Sequence, residues 1–527
     1  KEDDYRMLYG TTGRPNFSVA RLLGLCLLQE WNDLSDQEAL DTFSFDIRWR
    51  YALDVTDEGD YLSRRSLVEF RRRLAANDPG MQLIRTVFDG IRDSAITKLG
   101  LSTSNQRLDS THVISNIRLR GRVALFTNTI TLFLKSLDDE HSSRVPAAIS
   151  DWHTRESEGW FGLGPAEQKT KLEELARYLH ELIAIFEKDE LGEPYQLLVR
   201  LFSEQCESSA ESIRVKKKTE GATLQSPYDP DASYGHKGQG YSLHITETCT
   251  NGETTEIITD YEVHGAARSD IGKAISVIER LDAGGCKPET LFADGGYPSA
   301  PSALKVQEQG IEFMTPVNRS RLSDDVVGRD RFHFDPEGFV TACPMGHKPL
   351  DHRILSAHNT TRSSLHAIFD GAICRACTML DQCPVRAPNH RSKGCGPRDT
   401  VGDFRLEITP EIRLRDAMYA LQQTPEWKDR YRIRSGIEAT NSELKRAHGI
   451  GRLRVRRLSR VCFAVACKII ACNIKRWAKA HTALNLDPQG LISSVYTSPK
   501  LSSFDLIGTL VLSYGPLRRQ PAMMRQW

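Results

Sequence analysis

The sequence predicts an α/β fold in which a mixed β-sheet is combined with a helical N-terminal domain and two insertions. Helical periodicity dominates residues 1–100, and residues 226–318 alternate strand-like and helix-like runs. Cysteines clustered within residues 319–401 indicate a small metal-binding insertion. The predicted segments are 1–100 (helical N-terminal domain), 101–117 (first core strand), 118–225 (helical insertion), 226–318 (core continued), 319–401 (cysteine-rich insertion), 402–480 (end of the core) and 481–527 (C-terminal tail).

Charge and hydropathy restrict the class of protein. The 70 Lys and Arg residues nearly cancel 69 Asp and Glu residues, so the net charge of +1 does not indicate a nucleic-acid partner. Residues 430–479, however, contain 14 basic and two acidic residues, a pattern typical of a phosphate-binding surface. No apolar run reaches the roughly 18 residues that a membrane helix needs. With no recognisable signal peptide, the sequence predicts a cytoplasmic protein with reduced thiols.

The N-terminal segment has the signals of a small helical domain. Two capping boxes are predicted, Ser35 with Glu38 and Ser66 with Glu69.

The second box opens the run SLVEFRRRL, in which arginines lie largely off the apolar face. Arg71 and Arg72 are therefore candidates for contacts with DNA phosphates. An ordinary solvated basic face explains the same pattern, and both interpretations stay open.

Two aspartates follow short apolar runs. Asp109 lies in QRLDSTHVI, and Asp294 ends the run 291–293 and precedes two glycines. A strand that ends at an acid and a glycine break presents that acid at a sheet edge. Turn chemistry alone also explains an Asp before Gly, so each aspartate is a weak signal by itself.

The predicted core is interrupted and then resumed. Residues 118–225 show helical periodicity and are expected to form an insertion, either for dimer contacts or for DNA. Two alternating runs joined through Asn251-Gly252 then predict a hairpin. His244 and His264 lie on its strands, and we favour a structural role for both over a place in the active site.

The cysteine-rich insertion has the spacing of a zinc site. Cys374 and Cys377 form a CxxC pair, and Cys343 and Cys383 could complete four thiolates around a tetrahedral Zn²⁺. His347 or Cys395 could replace one ligand, and a set of reduced thiols without metal is the alternative. A site with four protein ligands would be structural, because it leaves no position for water.

A stripe of four reactive side chains recurs in YRIRSGIEATNSELK. On a helix at about 100° per residue, Tyr431, Arg434, Glu438 and Lys445 fall within less than about a quarter of a turn. Glu438 between two cations is typical of a metal-binding carboxylate among phosphate-binding groups. A solvated helix face with i,i+4 ion pairs is the alternative.

These residues and the two aspartate blocks resemble those of a known family. The stripe matches the Y-x2-R-x3-E-x6-K signature of bacterial insertion-sequence DDE transposases, and LDSTHV and FADGGY resemble the blocks that carry the family's aspartates. The resemblance spans roughly residues 14–480. It implies an RNase H-like catalytic core with a zinc-ribbon-like insertion, in which Asp109, Asp294 and Glu438 bind two Mg²⁺ or Mn²⁺ ions.

The function that the resemblance implies is cleavage at insertion-sequence ends followed by transfer of the 3′ hydroxyl to target DNA. Asp109 is expected to bridge both ions, with Asp294 and Glu438 each holding one. Tyr431, Arg434 and Lys445 are expected to contact phosphates or DNA. The partners would be double-stranded DNA, namely terminal inverted repeats and target, bound by a homodimer or larger assembly in the bacterial nucleoid. The alternatives are a domesticated DNA-binding protein and a metal-dependent nuclease.

Overall fold

A computed structural model describes residues 5, 8, 17–55, 61–117, 121–156, 164–208, 213–250, 255–318, 327–356, 363–385 and 402–483. The predicted turn at Asn251-Gly252, the alternative ligand Cys395 and nearly all of the C-terminal tail lie outside the described residues.

Helices make up about half of this part of the chain. Its α-helices are α1 (Val19–Asn32), α2 (Asp36–Phe45), α3 (Ile47–Ala52), α4 (Arg64–Asn77), α5 (Gln82–Leu99), α6 (Arg122–Leu134), α7 (Asp139–Ser143), α8 (Ala147–Glu156), α9 (Pro165–Ile185), α10 (Glu193–Gln205), α11 (Lys273–Ala283), α12 (Ala300–Glu308), α13 (Gly371–Ala376), α14 (Pro410–Leu421), α15 (Pro425–Tyr431), α16 (Ile437–Arg446) and α17 (Leu458–Ala483). None of the helices described is long and apolar enough to cross a membrane.

The strands form one large sheet and three small ones. They are β1 (Asn105–Val113), β2 (Cys206–Ser208), β3 (Ile213–Val215), β4 (Ser233–Gly235), β5 (Gly238–Thr248), β6 (Ile258–Gly265), β7 (Thr290–Ala293), β8 (Glu312–Met314), β9 (His333–Phe334), β10 (Val340–Ala342), β11 (Asp351–Ser356), β12 (Ser363–Phe369) and β13 (Phe404–Ile408).

The large sheet is mixed, as the sequence predicts. From one edge its strands are β6, β5, β1, β7 and β8, and β4 pairs with the start of β5. The central strand β1 is antiparallel to β5 and parallel to β7. Because Leu108 is level with Ala293 in the parallel pair, Asp109 on β1 lies beside Asp294, the first residue after β7.

The two faces of the sheet pack against different helices. Ile245 and its neighbours on one face share a core with α17 and with the N-terminal helices α1 to α5. Leu108 and Leu291 on the other face pack against α11. The N-terminal segment is helical, and its helices bury their apolar faces against α17 and the sheet.

Both insertions have cores of their own. Helices α6 to α10 enclose one apolar cluster that includes Phe126, Leu179 and Leu198. Strands β9 to β13 surround a smaller cluster in the cysteine-rich segment, with Phe369 and Leu406 at its centre. The first of these cores is built mainly from helices, as the helical periodicity of residues 118–225 predicts.

Two local predictions need correction. Ser35 and Glu38 do form a capping box, but α4 is capped by Ser63, and Glu69 pairs with arginines on its own helix. The stretch 431–445 is not one helix, because a 3-10 turn at Arg432–Gly436 separates α15 from α16.

A buried carboxylate holds α16 and α17 against the sheet. Glu247 on β5 is fully buried and accepts from Arg107 Nε at 2.7 Å and from Arg476 Nη1 at 3.0 Å. Thr440 on α16 donates to the same carboxylate at 2.6 Å. Arg107 also donates to the carbonyl of Ile433 at 2.8 Å, so the 3-10 turn before α16 is attached to β1.

Replacing this carboxylate is expected to destabilise the fold. Glu247→Gln leaves the buried Arg107 guanidinium without its anion and leaves Arg476 with Glu443 alone, and breaking a buried ion pair costs about 3–5 kcal/mol. Urea denaturation should show this loss in the free energy of unfolding, whereas the exposed Glu279→Gln should change it by less than about 0.5 kcal/mol. Equal stabilities of the two variants would contradict the assignment.

Candidate active site

One guanidinium contacts three carboxylates that are far apart in the sequence. Arg434 Nη2 lies 3.0 Å from Asp109 Oδ1 and 3.9 Å from Asp294 Oδ2, and Nη1 lies 3.0 Å from Glu438 Oε1. The acids come from the middle of β1, from the residue after β7 and from the first turn of α16. The structure thus brings together four of the residues that the sequence singled out.

Asp109 is the buried member of the group. Its side chain is only 7% exposed, and its oxygens accept from the backbone N–H of Ser110 at 2.8 Å and from Asn441 Nδ2 at 3.0 Å. Asn441 lies one turn after Glu438 on α16, so the same helix carries one acid and orients another. Asn441 was not predicted from the sequence, although its i+3 spacing from Glu438 places it on the same helix face.

Asp294 is held at the end of β7 by its own backbone. Its Oδ1 accepts from the N–H of Gly296 at 2.9 Å, and its carbonyl accepts from Thr315 at 2.8 Å. A Cβ at position 296 would lie 3.1 Å from Asp294 Oδ1, so glycine leaves room for this turn. The side chain is 39% exposed and faces solvent at the sheet edge.

Tyr431 lies close to the acids but binds protein. Its hydroxyl donates to the carbonyl of Ala293 at 2.9 Å, and its ring stacks on Trp427 at 4.6 Å. Burial raises the pKa of this phenol to about 12, so it stays a donor at neutral pH. Tyr431 therefore positions the strand end that carries Asp294. Because its hydroxyl proton is used in this bond, it cannot at the same time donate to a phosphate, as the sequence predicted.

Glu438 is positioned by a close approach of two backbone segments. The 3-10 turn before α16 crosses Arg107, and a Cβ at Gly436 would lie 2.1 Å from Arg107 Nη1. Only glycine fits this position without moving the arginine. Glu438 itself is 60% exposed, in contrast to Asp109.

The electrostatics of the group follow from burial and crowding. Burial raises the pKa of Asp109 to about 6; Arg434 opposes this rise, and Asp294 and Glu438 add to it. Three acids that share one cation carry more negative charge than Arg434 compensates. Such a group has the charge and the oxygen donors to hold a divalent cation.

The other predicted DNA-binding residues lie away from this group or point elsewhere. Lys445 is exposed near the end of α16. Arg71 is half-buried and donates to Gln29 at 2.8 Å and to Asp36 at 2.9 Å, so its guanidinium is used between helices. Arg72 is 61% exposed and pairs with Glu69. Of the two arginines, Arg72 alone faces solvent, and its contact with DNA stays a prediction.

The four cysteines predicted to bind zinc gather at one place. Cys343, Cys374, Cys377 and Cys383 line one pocket together with His347. Burial, with the other three thiols nearby, raises the pKa of Cys374 to about 11. Among the described residues, no three of these sulfur atoms lie within 4.8 Å of one another. The four thiols line the same pocket, but their sulfur atoms would have to move closer together to bind one metal ion.

Comparison with protein families identifies two matching stretches. Residues 342–478 match the model described as transposase DDE domain, and residues 2–73 match that of transposase domain (DUF772). The first stretch contains Glu438 and all four cysteines, whereas Asp109 and Asp294 lie before it. Comparison with curated proteins and with solved structures gave no match. The two family matches support a transposase function, with DNA as the implied partner.

Burial of Asp109 beside two other acids is expected to lower the stability of the metal-free fold as the pH rises. Because the pKa of Asp109 is raised, its ionised form destabilises the metal-free fold, and this cost grows as the pH rises from about 4 to 6. Asp109→Asn should therefore increase the free energy of unfolding by about 1–3 kcal/mol at pH 8 without metal, since one pKa unit corresponds to about 1.4 kcal/mol.

The gain should vanish below about pH 4, where the carboxyl is protonated in both states. Chemical denaturation in EDTA at several pH values measures this difference. A variant that is less stable than the parent at pH 8 would contradict it.

Proposed function

We propose that this protein is a DDE-type DNA transposase whose catalytic residues are Asp109, Asp294 and Glu438. The observation that carries the proposal is the convergence of these acids on Arg434, at 3.0, 3.9 and 3.0 Å. The two transposase matches support it independently of this geometry. The reaction would cut the ends of an insertion sequence and join the freed 3′ hydroxyl to target DNA.

The donor set fits magnesium or manganese. All three side chains offer hard carboxylate oxygens, which these ions prefer, and together they carry more negative charge than Arg434 supplies. Asp109, Asp294 and Glu438 would hold two such ions. When bound, the ions would activate an oxygen nucleophile and offset the charge of the phosphodiester.

Arg434 has two roles in this proposal. Without metal it offsets part of the negative charge of the acids and keeps them close together. With divalent cations bound to the acids, the Arg434 guanidinium would be free to bind a phosphate group through two parallel hydrogen bonds, one to each of two oxygens. Asn441 keeps the Asp109 carboxylate oriented, and Tyr431 keeps the end of β7 in place through Ala293.

The arrangement of the sheet supports an RNase H-like core. A long strand is followed by an antiparallel hairpin, then by a helix and two parallel strands on the other side of β1. The acids lie on β1, after β7 and on a later helix, which is the element order that the resemblance implies. The helical insertion comes between the first strand and the hairpin.

Exposed lysine and arginine side chains on α16 and after it suggest a surface for DNA. Lys445, Arg452 and Arg460 are exposed, and Arg454 is 58% exposed. Other cations of the same stretch are used inside the protein, because Lys468 and Arg476 pair with buried or half-buried acids. The DNA-facing charge is therefore smaller than the excess counted in the sequence. Two element ends would require a homodimer or larger assembly.

The cysteine-rich segment would bind a structural zinc ion through Cys343, Cys374, Cys377 and Cys383. Its apolar cluster is small, so a metal site would add stability that the core of this segment does not supply. The shared pocket supports the proposal. Four protein ligands would leave no position for substrate.

The acids are expected to be essential for DNA cleavage. On DNA with the native flanking ends and Mg²⁺, Asp294→Asn and Glu438→Gln should each lower cleavage and strand transfer by more than about 1000-fold, because several kcal/mol of transition-state stabilisation are lost. The matched control is Asp429→Asn, an acid 76% exposed on the neighbouring α15 that pairs only with the exposed Arg432 among the described ion pairs.

Three outcomes distinguish the alternatives. End cleavage and joining by the parent and the control alone would support the transposase. Cleavage without joining would favour a nuclease, and binding without cleavage in every protein would favour a DNA-binding protein. Undiminished cleavage by the Asp294 and Glu438 variants would overturn the assignment of the acids.

A further inference from the structure

Behind the strand that carries Asp109 lies a second polar cluster that the proposed reaction does not use. His244 Nε2 lies 2.8 Å from His264 Nε2 and 3.4 Å from Asp270 Oδ1. All three ligand atoms lie within 4.8 Å of one another. The side chain of His244 is 1% exposed and that of Asp270 is 18% exposed. In the register of β1 and β5, His244 is opposite Ser110 and Asp109 is opposite Ile245, so the cluster and the Asp109 side chain lie on opposite faces of the sheet.

The protonation of the two imidazoles follows from their partners. A backbone carbonyl only accepts, so the 2.9 Å contact with Gly265 fixes the proton of His264 on Nδ1. In neutral His264 the Nε2 lone pair therefore points at His244. Burial lowers the pKa of both histidines, that of His244 to about 3, and leaves both rings neutral at physiological pH.

His244 can present a lone pair at the same point. Its Nδ1 lies 2.7 Å from the hydroxyl of Tyr297, which can accept as well as donate. With its proton on Nδ1, His244 would donate to Tyr297 and free Nε2. A hydrogen bond that fixes the tautomer of a ligating histidine is the usual second layer of a metal site.

A hydrogen bond also orients the carboxylate of Asp270. Its Oδ2 accepts from Ser110 Oγ at 2.9 Å, which leaves Oδ1 facing His244. The nearby Lys237 donates to the carbonyl and hydroxyl oxygens of Ser110, and Lys273 pairs with Glu262. The local cations therefore have partners other than Asp270.

We propose that His244, His264 and Asp270 bind one divalent transition-metal ion of the zinc type. Two imidazole nitrogens and one carboxylate oxygen form a donor set that zinc accepts. Zinc–nitrogen bonds of about 2.0–2.1 Å separate tetrahedral ligands by roughly 3.3 Å. The 3.4 Å separation of His244 and Asp270 fits this edge, and the 2.8 Å separation of the imidazoles would need to widen slightly.

The site has access to solvent on one side. A cleft of about 750 Å³ is lined by Asp270, Lys237, Ser242 and Gly296, among other residues. An ion could enter through this cleft, and a water molecule could take the fourth position. The ion would join β5, β6 and the loop before α11, and through Ser110 it would brace the strand that carries Asp109.

The test is the zinc content of the full-length protein, measured by mass spectrometry of metal after equilibration with Zn²⁺ and removal of excess. Asp270→Asn and His264→Gln should each contain about one zinc ion fewer per chain than the parent. Ser269→Ala, an exposed neighbour of Asp270, is the matched control and should keep the parental content. Circular dichroism establishes that each variant is folded, and Asp270→Asn is the safer variant because Asp270 is less buried than His264.

Cobalt separates this site from the cysteine site. The cobalt lost in Asp270→Asn should lack thiolate charge-transfer absorption, whereas the cobalt lost in Cys374→Ser/Cys377→Ser should carry it. Equal zinc contents in the parent and folded Asp270→Asn would overturn the proposal and leave a hydrogen bond between two histidines. Neither outcome depends on DNA cleavage, so the proposed function is tested separately.

Discussion

The buried carboxylate of Glu247 is the interaction on which the rest of the site depends. It lies on β5 and accepts hydrogen bonds from groups on β1, α16 and α17 at 2.6 to 3.0 Å, of which Arg107 and Arg476 carry the neutralising charge. A buried charge of this kind is tolerated only when it is fully paired, so the sheet and both helices must assemble together. Through Arg107 the same network holds the turn before Glu438, and thereby sets the distance of that acid from Asp109.

The candidate site itself balances burial against charge. Asp109 is buried, Asp294 and Glu438 are more exposed, and all three contact one guanidinium. This arrangement is stable enough to keep the acids together but leaves excess negative charge. The three acids are therefore suited to release the Arg434 guanidinium and bind divalent metal ions in its place, which is the basis of the function that we propose.

The sequence predicted the residues of the candidate site better than the buried residues that hold its strands and helices in place. Arg434 and Glu438 were recognisable from their local spacing and Asp294 from its place at a strand end, whereas Asp109, expected at a strand end, lies in the middle of β1. The resemblance to a transposase family linked these four residues, and the mixed sheet was predictable from alternating runs. Glu247 was not, because burial of a charged side chain depends on partners distant in the sequence.

The errors have similar physical causes. The 3-10 turn at Arg432–Gly436 arises from contacts with Arg107, which helical spacing cannot show. Arg71 resembled an exposed arginine, although Asp36 on a neighbouring helix binds it.

Anomalous diffraction from crystals of the full chain soaked in Mn²⁺ would show whether Asp109, Asp294 and Glu438 bind metal. We expect manganese between the three carboxylates, with the Arg434 side chain displaced. Carboxylates still bound to Arg434, with no manganese between them, would rule out this metal site.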